Sequence, residues 1–143
     1  FINIWNHVHY GYVQGSRYIW ISMTYQTTPP VRRSILLVED EAMIAMMLEE
    51  FVDTLGHHVS GVATTVEDAC RMVESGGFDL AILDCHLEGQ EVWPVAEMLD
   101  RKGIPYILSS GGSITDVPAP FAQRPMLAKP YTIGTISDML MAA

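Results

Sequence analysis

Four short apolar runs in this chain end abruptly in polar residues. Ile35-Leu36-Leu37-Val38 runs into Glu39-Asp40-Glu41, and Leu80-Ala81-Ile82-Leu83 runs into Asp84. Tyr106-Ile107-Leu108 runs into Ser109-Ser110-Gly111-Gly112, and Met126-Leu127-Ala128 runs into Lys129-Pro130. Each run is too short for a helix and reads as a buried strand. A fifth strand is predicted over Val59–Ala63.

Helical patterns fill the gaps. Ile44, Met47, Leu48, Phe51, Val52 and Leu55 follow the stripe of an amphipathic helix, which Gly56 stops. Thr65 caps a second helix running to Ser75, with Asp68 at the capping-box position and Gly76-Gly77 beyond. Pro94 suits the first position of a third helix carrying Val95, Met98 and Leu99. Ile133, Ile136 and Leu140 predict a short last helix, weakened by Gly134. Gly112, Pro118 and Pro120 break the stretch 111–125, so a loop with one short helical turn is expected there.

Strand–helix alternation predicts a parallel sheet covered on both faces. The expected fold is α/β, a flavodoxin-like doubly wound five-stranded sheet of order 2-1-3-4-5 with a reduced fourth helix. That order sets the first and third strands side by side at the switch point, where ligands bind. Glu39, Asp40 and Asp84 then crowd together. Two like charges 4 Å apart repel by roughly 4 kcal/mol at an effective dielectric of 20. A divalent cation removes that cost, and oxygen-only ligands favour Mg²⁺. A carboxylate beside Mg²⁺ is a competent nucleophile toward phosphorus. Ser110, the Gly111-Gly112 backbone and the long Lys129 side chain are the candidate donors to a phosphoryl group.

Residues 34–142 resemble a response-regulator receiver domain of a two-component system. The resemblance rests on Leu37-Val38-Glu39-Asp40-Glu41, Leu83-Asp84, Ser110-Gly111 and Lys129-Pro130, in that order. It implies that Asp84 is the phosphoacceptor and that Glu39, Asp40, Asp84 and the His86 backbone carbonyl hold Mg²⁺. It also implies that Ser110 is the switch hydroxyl, that Lys129 binds the phosphoryl group and that the Lys129–Pro130 peptide is cis. The implied partners are a histidine kinase or histidine phosphotransfer protein and a downstream protein. A phosphate sink is the other output. The run Ile104–Gly111 resembles a stand-alone subgroup with Phe-Ala-Thr-Gly-Tyr at this place. Two positions depart from the family. Met126 stands where an aromatic residue usually precedes the lysine by three, and Gly112 replaces the Tyr of the subgroup.

Competing readings weigh less. A pseudo-receiver acting as a phosphorylation-independent binding module would lack the acceptor or the lysine, and both are present. Aspartate-based phosphohydrolases place a second acid two residues after the nucleophile, where this chain has His86. No G-x-G-x-x-G or Walker pattern follows the first strand.

Charge narrows the partners. Residues 1–30 hold Arg17 and no acid, so the rest of the chain sets seven cations against 17 acids. Such a surface repels nucleic acid. No apolar stretch approaches a membrane span. Cys70 and Cys85 have no zinc-site spacing, and a reduced cytoplasmic protein is the plain reading. His57-His58 reads as a surface turn. The methionines Met43, Met46, Met47, Met72 and Met98 read as packing residues.

Composition changes at Thr27-Thr28-Pro29-Pro30. Seven of the thirteen aromatics precede it. Residues 1–30 are therefore taken as an extension and 31–143 as the domain. Val8, Tyr10 and Tyr12 alternate with polar residues or glycine, and Gln14-Gly15-Ser16 leads into a second β-rich run, which predicts a hairpin. An ordered hairpin must bury its apolar face on the domain or on a second copy, which would make a homodimer. The alternative is that Met23 is the true start and residues 1–22 are not native. The chain ends soon after the last helical pattern, so no output domain is expected.

Overall fold

The computed structural model describes residues 7–14, 17–24, 31–112 and 117–143. The chain divides into two units, Phe1–Val31 and Arg32–Ala143. In the first, strand β1 (His7–Gln14) pairs antiparallel with β2 (Arg17–Thr24), from His7 opposite Thr24 to Gln14 opposite Arg17. Residues 15 and 16, and the side chains that would form the aromatic face, lie outside the described residues.

The second unit begins with β3 (Ser34–Val38), helix α1 (Ala42–Thr54), β4 (His58–Ala63) and α2 (Val66–Ser75). Strand β5 (Leu80–Asp84) follows, then a small hairpin of β6 (His86–Leu87) and β7 (Gln90–Glu91). Helix α3 (Trp93–Lys102), β8 (Tyr106–Ser110), a 3₁₀ turn at Ala119–Phe121, β9 (Met126–Ala128) and α4 (Ile133–Ala142) complete it. The five long strands are parallel in the order β4-β3-β5-β8-β9. This is the 2-1-3-4-5 order expected of the doubly wound fold. Among the described residues, the fourth crossover holds only the 3₁₀ turn.

Strands β5 and β8 are buried along their whole length. They lie inside the sheet with both faces covered, which is why Leu80–Leu83 and Tyr106–Leu108 are continuous apolar runs rather than alternating ones. Alternate side chains feed two cores. Leu36, Val38, Leu83 and Leu108 pack with Ala69 and Val73 of α2 and Val95 and Leu99 of α3. Ile35, Leu37, Ile82 and Ile107 pack with Leu48 and Val52 of α1 and Ile136 and Leu140 of α4. On the edge strand β4 the register shifts between Ile35 and Leu36, leaving Ser60 unmatched. A bulge there blunts an otherwise sticky edge.

Local details depart from the sequence reading in four places. Pro94 is the second residue of α3, not the first, where its missing N–H is equally harmless. Thr65 accepts the Asp68 N–H at 3.1 Å, but the Asp68 carboxylate turns to Arg71 instead of closing the box. Thr132 and Thr135 form a full capping box that starts α4, with Thr at a place where Glu or Gln is the usual signal. Met43 and Met46 are exposed, outside the stripe of α1, whereas Met47, Met72 and Met98 pack on the cores. Among the described residues, no helix is long and apolar enough to cross a membrane.

His57 is a structural residue. Its Nδ1 accepts the Arg33 N–H at 3.2 Å, tying the end of the α1–β4 turn to the start of β3. Burial, and then the Arg33 guanidinium, hold the imidazole below its usual 6.5. The unfolded chain therefore takes up the proton first as pH falls. The His57 contribution is complete above about pH 6.5 and fades below it. Wild-type melting temperature should fall more steeply between about pH 7 and pH 5 than that of His57→Asn, whose amide oxygen can accept the same bond. Parallel pH profiles for the two proteins would remove His57 as the cause.

Candidate functional site

The site lies beyond the carboxyl ends of β3, β5 and β9. Glu39 stands two residues past Leu37, Asp84 two past Ile82, Ser109 two past Ile107 and Lys129 two past Leu127. All four reference residues face the core under α1 and α4. Side chains alternate along a strand, so Glu39, Asp84, Ser109 and Lys129 project to that same side. In register, Asp84 is opposite Ser109, and Ser109 is opposite Leu127. The Glu39 N–H extends the ladder by bonding the Ala63 carbonyl at 2.9 Å.

Lys129 bridges two of these carboxylates. Its Nζ lies 2.5 Å from Asp84 Oδ2, 2.9 Å from Glu39 Oε2 and 3.8 Å from Glu41 Oε1. Burial works against the ammonium charge, but contacts with Asp84 and Glu39 outweigh it and hold the group above its usual range. Glu39 is 1% exposed. Burial raises its carboxyl, the charge of Asp84 adds to that, and Lys129 and the Glu41 N–H oppose it. Glu39 Oε1 accepts the Glu41 N–H at 3.1 Å. Among the described residues its Oε2 finds no directed hydrogen-bond donor, so its pairing with Lys129 is electrostatic and off the bonding direction.

The other two carboxylates are held by backbone donors. Asp84 Oδ1 accepts the His86 N–H at 3.1 Å. Asp40 Oδ2 accepts the Glu88 N–H at 2.8 Å. Glu88 and Gly89 both have positive φ, 48° and 80°, as a tight two-residue hairpin turn requires. The hairpin β6–β7 thus folds the chain after Asp84 back over Asp40. Glu39, Asp40 and Asp84 each offer an oxygen, all within 4.8 Å of one another. Three hard oxygens and a buried Glu39 Oε2 without a directed donor fit a divalent cation.

Ser110 is buried and lines the same cleft as Asp40, Asp84 and Lys129, a space of about 340 Å³. Its hydroxyl accepts the Gly112 N–H at 3.2 Å. Its carbonyl accepts the Lys129 N–H at 3.0 Å. The Lys129–Pro130 peptide is cis. Cys85 beside Asp84 is buried, and burial pushes its thiol up to about 11, so it stays protonated and inert.

Sequence reasoning named the three carboxylates that can share a cation but missed three features. Glu41 joins the charge network. The hairpin with its Glu88–Asp40 bond had only the weak signal of a residue–Gly pair at 88–89. Tyr131 sends its hydroxyl to Ser109 at 2.5 Å, and nothing in the spacing announces that contact.

No family model matches the chain. Solved structures and a curated relative do. The chain is similar to SdrG from Sphingomonas melonis Fr1, at 44% identity over 78% of this chain and 95% of that one, with a TM-score of 0.71. It is similar to the receiver domain of the Erythrobacter litoralis PhyR response regulator, at 26% identity over 78% and 88%, with a TM-score of 0.66. It is 35% identical over 118 residues to the phyllosphere-induced regulator PhyR of Methylorubrum extorquens, covering 76% of this chain. The chain spans 42% of that relative's length. With the doubly wound sheet, the clustered acids and these relatives in agreement, the chain belongs to the response-regulator receiver family.

Proposed function

We propose that Asp84 accepts a phosphoryl group from the phosphohistidine of a histidine kinase or histidine phosphotransfer protein. The observation that carries this reading is the Lys129 ammonium, wedged between Asp84 and Glu39 at the rim of a three-carboxylate cluster. An Asp84 carboxylate oxygen attacks phosphorus as the phosphorus–nitrogen bond breaks. The imidazole keeps the electron pair, and an acyl phosphate results. Mg²⁺, held by Glu39, Asp40, Asp84 and the His86 carbonyl, would supply charge neutralisation to carboxylates and phosphoryl oxygens alike. Lys129 neutralises a further phosphoryl oxygen, and Ser110 turns its hydroxyl from Gly112 to another. The phosphorylated chain then signals by binding a protein partner or drains phosphate from the relay. Free Cys70 and Cys85 suit the reducing cytoplasm, where we place this exchange. Residues 1–30 take no part in it.

Titration with beryllium fluoride tests this reading, and an activated SdrG structure with that mimic supports the choice of probe. The mimic should bind only when Mg²⁺ is present. Binding of equal strength without the cation would sink the assignment.

The lifetime of the acyl phosphate depends on water access. Among the described residues, a Cβ built at Gly112 meets no heavy atom within 4 Å, which leaves one side open. Gly112→Tyr should therefore fit and shield the phosphoryl group, lengthening its lifetime about threefold or more. An unchanged hydrolysis rate in that variant would remove the steric explanation.

A further inference from the structure

One buried polar pair adjoins the site, on the strand neighbouring Asp84 and in the turn after Lys129, and is used by none of the chemistry above. Ser109 is 1% exposed and Tyr131 is 6% exposed, and their hydroxyls meet at 2.5 Å. Lys129 and Asp84 stand on strands separated by β8. Strand spacing puts their backbones about 10 Å apart. The Lys129 stem must therefore cross β8, and the residue of β8 in register with Asp84 on that side is Ser109. Gly111 flanks the same stem, since a Cβ there would lie 3.7 Å from Lys129 Cδ. Tyr131 follows Lys129 by two residues, and its hydroxyl reaches Ser109.

We propose that Ser109 and Tyr131 are positioning residues for Lys129. Their hydroxyl pair forms the floor beneath the lysine stem and keeps the ammonium on Asp84 and Glu39. The physical reason is that a lysine side chain has many rotamers, and a charge on a flexible stem is placed only by what its stem packs against. The bond also ties β8, which carries Ser110, to the turn that carries Lys129. This rests on the function proposed above, but the geometry it claims can be measured without phosphorylation.

The test uses Tyr131→Phe, Ser109→Ala and the double variant in the full chain. Each single change removes one oxygen, so the fold should survive. The first readout is the nitrogen-15 ammonium resonance of Lys129, seen when hydrogen bonds slow proton exchange. The second is the rate of Asp84 phosphorylation by a small phosphoramidate with Mg²⁺. Each single variant should broaden the Lys129 resonance and slow phosphorylation about tenfold. The double variant should lose no more than either single one, because the two hydroxyls act as a unit. A sharp wild-type Lys129 resonance in both single variants would overturn the proposal, even if melting temperature falls. So would losses that add in the double variant. Failure of the wild type to phosphorylate would count against the proposed function alone, since the resonance still reports on the floor.

Discussion

Asp84→Asn should fold normally and gain no phosphoryl mass when incubated with a small acyl or amido phosphate donor and Mg²⁺. Wild type under the same conditions should gain the mass of one phosphoryl group. The reason is local. Asp84 is the strand-end carboxylate that meets both Lys129 Nζ and a backbone N–H. An amide in its place keeps the shape and the hydrogen-bonding size but offers no anionic oxygen to attack phosphorus. The cation site loses one of its three carboxylates as well. A drop below about one hundredth of the wild-type rate is expected, since loss of the nucleophile removes the reaction itself. Glu39 and Asp40 are the neighbouring carboxylates, so undiminished labelling of Asp84→Asn would move the acceptor to one of them. A chain starting at Met23 should label as wild type does. Loss of labelling there, with the domain still folded, would bring residues 1–22 into the functional unit.

Lys129→Met should destabilise the domain by about 3 kcal/mol in the absence of divalent cations, because it strands buried charge without a partner. The methionine keeps an unbranched stem, so the change isolates the ammonium. Glu39 and Asp84, 1% and 8% exposed in their side chains, then face each other uncompensated. The pH dependence identifies the cause. Burial already raises the Glu39 carboxyl above its usual 4.5, and losing Lys129 raises it further. A carboxyl with a raised folded pKa costs stability while it is ionised in both states. That cost fades as pH falls through the raised value toward 4.5. The deficit should therefore be largest near neutral pH and should shrink on acidification. Mg²⁺ should also recover part of it by restoring positive charge to the cluster. Denaturant unfolding with and without the cation, at two pH values, measures both effects. A deficit that ignores pH and Mg²⁺ alike would point to packing rather than charge.

The alternation of short apolar runs with helical stripes determined the layers, the five strands of the parallel sheet and the carboxylate ends. Those features are legible in short windows: β5 and β8 each open on an apolar run because both their faces are covered, and Thr65 or Gly56 acts within one turn of chain. The order of strands followed from general rules of parallel sheets, and so did the meeting of Glu39 with Asp84. What no spacing contained was the arrangement across the sheet. Lys129 reaches over β8 to Asp84 and Glu39, with Gly111 beside its stem. Ser109 carries a hydroxyl there because Tyr131, some twenty residues on, supplies the partner that a buried oxygen needs. Glu88 takes a positive φ only because the hairpin after Asp84 closes tightly enough to give its N–H to Asp40. Each depends on which residues become neighbours once the sheet is assembled. That adjacency is a property of the packed structure, so residue types along the chain name the charged groups while tertiary contacts set which of them hold the others in place.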